Sequence, residues 1–238
     1  MKRQARIARL IAATAAASAL PALAATATSA VFVTPTTAYL SSADIPVGFY
    51  GSGAPVLLET LEDSVLAPTL TGTNGRVIFD TFAGTRDAVD ADDGVIDGTC
   101  GPQTNGRCVS WFHDNGAAGV TFTFVGSGPA PTAFGLVWTD GAGSVTFSAV
   151  GTDGQSLGSV TRSDFADGSV SATTGEDRFF GVQFAGGIRS ITISNSAGGI
   201  EVDHIQYGAM APVPEPGSWA LMAAGLGLLA RRRLFART

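Results

Sequence analysis

Gly119-Val120-Thr121-Phe122-Thr123-Phe124 alternates apolar and hydroxyl side chains residue by residue. Successive side chains of a β-strand point to opposite faces, so Val120, Phe122 and Phe124 fall on one face and the threonines on the other. Ser144-Val145-Thr146-Phe147-Ser148-Ala149 and Arg189-Ser190-Ile191-Thr192-Ile193-Ser194 repeat the pattern. A helix needs apolar residues three and four apart, and no such period outlasts two turns in the body of the chain. Further strands are expected at Pro46–Tyr50, Val56–Glu59, Arg76–Phe82, Val109–Phe112, Ala133–Thr139, Gly158–Arg162, Arg178–Phe184 and Gly199–Tyr207. Between them, Asp114-Asn115-Gly116, Asp140-Gly141, Thr152-Asp153-Gly154 and Asn195–Gly199 read as turns, because these residues tolerate positive φ. About ten strands with alternating faces predict an all-β fold: a two-sheet antiparallel β-sandwich of jelly-roll type over residues 46–209. Residues 25–45, rich in Thr, Ala and Ser, are expected to form a mobile arm before it.

Charge is segregated along the chain. Only Arg76, Arg86, Arg107, Arg162, Arg178 and Arg189 of the 14 basic residues lie between residues 25 and 216, and that interval holds all 20 carboxylates. Six arginines against 20 carboxylates leave it at −14, compared with −6 for the whole chain, and without a lysine. Phosphate binding needs clustered Lys and Arg, so nucleic acid is excluded as a partner and an anionic membrane surface is disfavoured. Divalent cations suit such a domain.

The remaining basic residues mark the two ends. Lys2, Arg3, Arg6 and Arg9 precede an apolar run from Leu10 to Ala19, and Pro21-Ala22-Leu23-Ala24 supplies a helix breaker and a small-residue cleavage site. Residues 1–24 therefore read as a signal helix for the Sec translocon and signal peptidase, with cleavage after Ala30 as the alternative. At the other end, Val213-Pro214-Glu215-Pro216-Gly217 leads into an uncharged run that ends in Arg231-Arg232-Arg233. Pro214 and Pro216 keep the backbone extended around Glu215. The three arginines act as a stop-transfer signal, held cytoplasmic by the positive-inside rule. The uncharged run, residues 217–230, is about 21 Å long as helix. A bilayer core is about 30 Å thick, and snorkelling arginines with Val213–Pro216 close part of the gap. The competing reading is an Ala/Leu-rich terminal helix packed on a soluble domain.

This order of Pro-Glu-Pro motif, hydrophobic helix and basic cluster resembles the PEP-CTERM sorting signal of Gram-negative bacteria. The resemblance covers residues 213–238, within a sorting segment bounded at 210–238: the motif at 214–216, a hydrophobic sorting helix at 217–230 and a basic tail at 231–238. It implies recognition by an integral-membrane exosortase, a transient membrane anchor, and an exported protein at the cell surface or outside the cell, often alongside exopolysaccharide. In an exported chain the two cysteines, Cys100 and Cys108, are expected to form a disulfide across a turn-rich loop.

Residues 132–208 have a second, less specific resemblance. Phe147–Gly158, Phe179-Phe180-Gly181-Val182, Ile188–Ile193 and Ile200–Gly208 are similar in order to the carboxyl half of jelly-roll domains, and more distantly to galactose-binding-like carbohydrate modules. That resemblance implies a sandwich and raises polysaccharide binding as a function. In the closing strand Ile200, Val202 and His204 alternate inward, but Ile205 and Tyr207 are also apolar, so a bulge is expected near His204. Glu201 and Asp203 face the other way, and the resemblance places Asp203 where such modules hold a structural calcium.

Other candidate sites come from the residues themselves. Asp87, Asp90, Asp92, Asp93 and Asp97 crowd one loop, which reads either as a Ca²⁺ site or as a solvated acidic surface. The register is not that of an EF-hand, since the glycine comes one place early and no Glu closes it. Trp111 and Trp138, each close to an Asp, are the candidates for stacking on a sugar, against the alternative of core packing. No nucleophile elbow, zinc-protease motif or phosphate loop occurs. The expected function is that of a non-catalytic surface or matrix protein that binds polysaccharide. The alternative is a secreted glycoside hydrolase using a carboxylate pair.

Overall fold

The computed structural model describes residues 29–79, 88–89, 108–166, 175–211, 222 and 224–226. Among them are ten strands: β1 Val31–Val33, β2 Leu57–Glu59, β3 Leu70–Thr73, β4 Arg76–Phe79, β5 Val109–His113, β6 Val120–Phe124, β7 Ala133–Gly151, β8 Ser156–Arg162, β9 Arg178–Gln183 and β10 Ile188–Gly208. β7 and β10 pair antiparallel along almost their whole length, from Ile188↔Gly151 to Gly208↔Ala133. Around one half of this ladder, β9 adds to β7 and β1 to β9, while β2 and β5 add to β10 and β4 to β5. Around the other half, β8 adds to β7, β6 to β10 and β3 to β6.

Two of the expected turns lie inside strands. Asp140-Gly141 and Asn195–Gly199 sit opposite each other in the β7/β10 ladder, with Ala197↔Ala142 and Ile200↔Gly141 and register shifts between. Gly143 and Gly198 take φ values of 80° and 71°, which side chains disfavour. Both strands therefore bend at one place while their hydrogen bonding resumes beyond it. The inward phase changes at the bend: Phe134, Leu136 and Trp138 enter the main core before it, and Val145, Phe147 and Ala149 after it. The two halves then face each other. Phe147 meets Phe180 at 5.8 Å, Trp111 meets Phe122 at 5.4 Å and Phe124 meets Tyr207 at 5.2 Å between ring centroids. The two sheets expected from the sequence are thus one large antiparallel sheet folded over on itself, because bulges absorb the bend without breaking the ladder.

The first half is covered on its outer face as well. Ala133, Val137 and Phe179 point away from the main core and pack with Tyr39, Phe49, Tyr50 and Val89. As a result every residue of 133–141 and of 200–208 is buried. Pro46–Tyr50, expected as a strand, is instead a turn closed by the Phe49 N–H on the Pro46 carbonyl at 2.9 Å, with Gly48 at φ 85°. That turn places Phe49 edge-on to Phe179, with centroids 5.1 Å apart. Part of the segment expected as a mobile arm is held too. Val31–Val33 pairs with β9, and Tyr39 is buried.

Candidate functional site

The expected bulge lies in the closing strand. The β10 register shifts between Asp203 and Gln206, and His204 has φ 45°. Val202 and Ile205 both enter the main core, while Asp203 and His204 both turn to the outer face, where Val89 and Tyr39 lie. The inward position expected for His204 is thereby corrected: a bulge spends one extra residue, so two neighbours share a face. The bulge takes backbone N–H groups off the ladder, and Asp203 accepts one of them. Its Oδ1 takes the His204 N–H at 2.6 Å, and its Oδ2 takes the Val89 N–H at 3.0 Å. Val89 belongs to the acidic segment, so two places nominated separately in the sequence meet here.

A buried polar network extends from this point. The Tyr39 hydroxyl lies 3.4 Å from His204 Nδ1, and the Tyr39 N–H donates to the Asp177 carbonyl at 2.9 Å. Gln206 Nε2 donates to the His204 carbonyl at 3.2 Å and its Oε1 accepts from the Tyr50 hydroxyl at 3.3 Å. Burial pushes the Tyr50 phenol well above its ordinary range and pulls the Arg178 guanidinium down. Asp177, Asp203, His204 and Gln206 are fully buried, so among the described residues this network ties Val89 to the sheet from the inside. Among the described residues no three His, Cys, Asp or Glu side chains converge as a metal site. Of the calcium candidates, Asp87, Asp90, Asp92, Asp93 and Asp97 lie outside the described residues.

The two tryptophans are core residues. Trp111 is 8% exposed, donates from Nε1 to the Asn74 carbonyl at 2.8 Å and lies so close over Gly72 that a Cβ there would collide with its ring. Trp138 is fully buried and meets Phe165 at 5.2 Å between centroids. With their faces covered, neither ring can stack on a sugar. The sugar-stacking role expected for them is withdrawn, and the physical reason is that aromatic area is the largest apolar payload a folded sheet can bury.

The solvent face of the second half holds a feature that reading single strands missed. Strand pairing aligns Thr73, Thr121, Thr192, Ser148 and Ser159 in one row across β3, β6, β10, β7 and β8. Ser194, Thr146 and Thr161 form a second row, and Thr71 and Thr123 a third that ends at the buried Ser190. Hydroxyls bond across strands, Thr121 to Thr192 at 2.7 Å and Thr146 to Thr161 at 2.9 Å. No charged residue stands in these rows. Adjacent strands are about 4.8 Å apart and same-face residues about 6.8 Å apart along a strand, which sets the spacing of the hydroxyls. The signal in the sequence was the recurrent Thr and Ser opposite apolar positions.

Residues 212–234 match the family model described as the PEP-CTERM protein-sorting motif. The chain carries a PEP-CTERM sorting motif. The motif implies export, cell-surface sorting and processing by an exosortase. It contains Pro214, Glu215, Pro216 and Arg231, Arg232, Arg233, which lie outside the described residues, as do the signal segment 1–24 and Cys100. Cys108 is buried, and no free cysteine occurs among the described residues. No curated protein matches the chain. Two solved structures are distantly similar. The enzymatically active domain of bacteriophage CBA120 tailspike protein 4 is 14% identical, with 72% of this chain and 22% of that one covered and a TM-score of 0.32. An exo-β-agarase is 14% identical, with 68% and 26% covered and a TM-score of 0.31. The chain thus spans about a quarter of the length of either. The PEP-CTERM motif begins one residue beyond Ala211, where the Gly51 N–H on the Ala209 carbonyl at 2.8 Å ties down the end of the domain.

Proposed function

We propose that the exported domain is a non-catalytic surface or matrix protein that binds neutral polysaccharide through the hydroxyl rows of its outer sheet face. In this reading the fold is a jelly-roll sandwich, the Sec translocon and signal peptidase handle the amino end, and the membrane anchor is transient. The observation that carries the proposal is the row Thr73–Thr121–Thr192–Ser148–Ser159, uncharged in a domain of formal charge −14. Hydroxyls give and accept hydrogen bonds, each worth about 1 kcal/mol net. A repeating ligand meets many of them at once, whereas anionic polymers are repelled by the domain charge. The exported protein should be retained by neutral polysaccharides on an array and release no reducing ends. Thr121→Val combined with Thr192→Val keeps the shape of the face, removes a bonded pair of hydroxyls and should weaken retention. Retention unchanged by these substitutions would sink the proposal, and turnover of any polysaccharide would favour the glycoside-hydrolase reading.

Calcium at the acidic segment and the Cys100–Cys108 disulfide are proposed to hold the loop that Val89 pins to Asp203. Closing so short a loop contributes about 2 kcal/mol, and a divalent ion offsets the repulsion among Asp87, Asp90, Asp92, Asp93 and Asp97. The melting temperature should fall when chelator is added and again when reductant is added. An unchanged curve in chelator would return the loop to a solvated acidic surface.

A further inference from the structure

The end of the sheet from which the sorting motif departs differs in chemistry from the opposite end. Met210 is fixed there by its N–H on Thr132 Oγ1 at 2.8 Å. The loops 45–58, 125–132 and 184–188 meet around it: Gly51 bonds Ala209, Phe184 bonds Thr132 and Ile188 bonds Pro131 through their backbones. None of these three segments contains a charged residue, although Asp44, Asp153 and the exposed Arg189 stand beside them. At the other end, around the sheet bend and the start of β9, Asp114 is exposed, while Asp140, Glu176, Asp177 and Glu201 are buried. The departure end also exposes apolar side chains: Val47 fully, Val56 at 77% and Val125 at 50%. Beside them is a groove of about 490 Å³ lined by Ile45, Pro46, Val47, Tyr50, Pro55 and Leu58.

The tether is short. From Ala211 to Gly217, where the uncharged tail begins, an extended chain reaches about 20 Å at most. A domain on such a leash must present its departure end to whatever holds the tail.

We infer that this end of the domain rests on the lipid bilayer before the tail is cut, with Val47, Val56 and Val125 against a neutral headgroup surface. The inference rests on reading residues 217–230 as a membrane-inserted tail. The uncharged segments of this end limit the electrostatic cost of bringing a domain of formal charge −14 to a membrane. A few exposed valines are too little apolar area to hold the domain alone, so cutting the tail also ends the contact and frees the protein.

The test uses the full chain reconstituted into phosphatidylcholine vesicles in which the lipid carries bromine, a short-range quencher of tryptophan. In the unmodified chain Trp219 reports insertion of the tail, above the emission of the buried Trp111 and Trp138 that all the chains share. In chains that also carry Trp219→Phe, Val47→Trp reports the departure end, and Ala197→Trp, exposed at the bend, reports the far end. Trp219 and Val47→Trp should lose emission in brominated relative to plain vesicles, and Ala197→Trp should not. Quenching of Trp219 without quenching of Val47→Trp overturns the inference while leaving the tail reading intact. An unquenched Trp219 overturns the tail reading, and the inference falls with it. Emission from Val47→Trp that shifts to the blue with protein concentration, unquenched by brominated lipid, would assign the surface to a second copy of the chain instead.

Discussion

A chain in which Pro214, Glu215 and Pro216 are all replaced by alanine is expected to remain uncut and membrane-bound. Each proline lacks a backbone N–H and restrains the residue before it, which disfavours helix. A protease reads substrate as an extended strand, with its main-chain hydrogen bonds free to pair. Alanine has the highest helix propensity of all residues, so the variant lets helix run continuously into the Ala/Leu-rich tail. The peptide bonds that an exosortase must reach are then bonded internally. Intact mass of membrane and culture-medium fractions measures the outcome. The variant should accumulate in the membrane as a species ending at Thr238, and the released form should be lost almost completely. Release of the variant at the same mass and in the same amount as the unmodified protein would refute the role of the motif.

Replacing Asn195 by alanine should destabilise the domain by about 3 kcal/mol, from the loss of part-buried hydrogen bonds to the Ala142, Ala197 and Gly199 carbonyls at about 1 kcal/mol each. Asn195 is 1% exposed, at the point where β10 bends. Its Nδ2 donates to the Ala197 carbonyl and, at 2.9 Å, to the Gly199 carbonyl, and it lies 3.4 Å from the Ala142 carbonyl on β7. The bend takes these carbonyls off the ladder, and the amide replaces the missing partners. Asn195→Asp separates packing from hydrogen bonding, since it keeps the shape but turns an oxygen toward the same carbonyls. It should therefore cost at least as much as alanine. At about 2–4 °C per kcal/mol for a domain of this size, the melting temperature should drop by roughly 6–12 °C. A midpoint within a degree of the unmodified protein would show that the bend is held by something else.

These two predictions divide along what could be read locally. The tail motif is contiguous, and its chemistry depends on residue order alone. Strand alternation is equally local. The expected strands near 57–59, 109–113, 133–139 and 178–183 appear because period-two burial is written into each segment. β1 was missed because Val31–Val33 is too short to show a period and is held only by its partner β9. The tryptophans were legible as large aromatics, but whether a ring face meets solvent depends on Gly72 or Phe165 brought from elsewhere in the chain.

The bend shows the same limit most sharply. Asp140-Gly141 and Asn195–Gly199 announce tolerance of unusual backbone angles, and that much is intrinsic to glycine and asparagine. Whether such a place ends a strand or bends it depends on what lies across the ladder, and here each glycine-rich stretch lies opposite the other. The export address, the segregation of charge and the all-β alternation are thus properties of short stretches and are encoded where they are read. The single sheet folded on itself, the hydroxyl rows, the seating of Val89 on Asp203 and the departure end exist only once segments dozens of residues apart are in register. Register is set by burying both inner faces at once, a condition that no single stretch of the chain can satisfy alone.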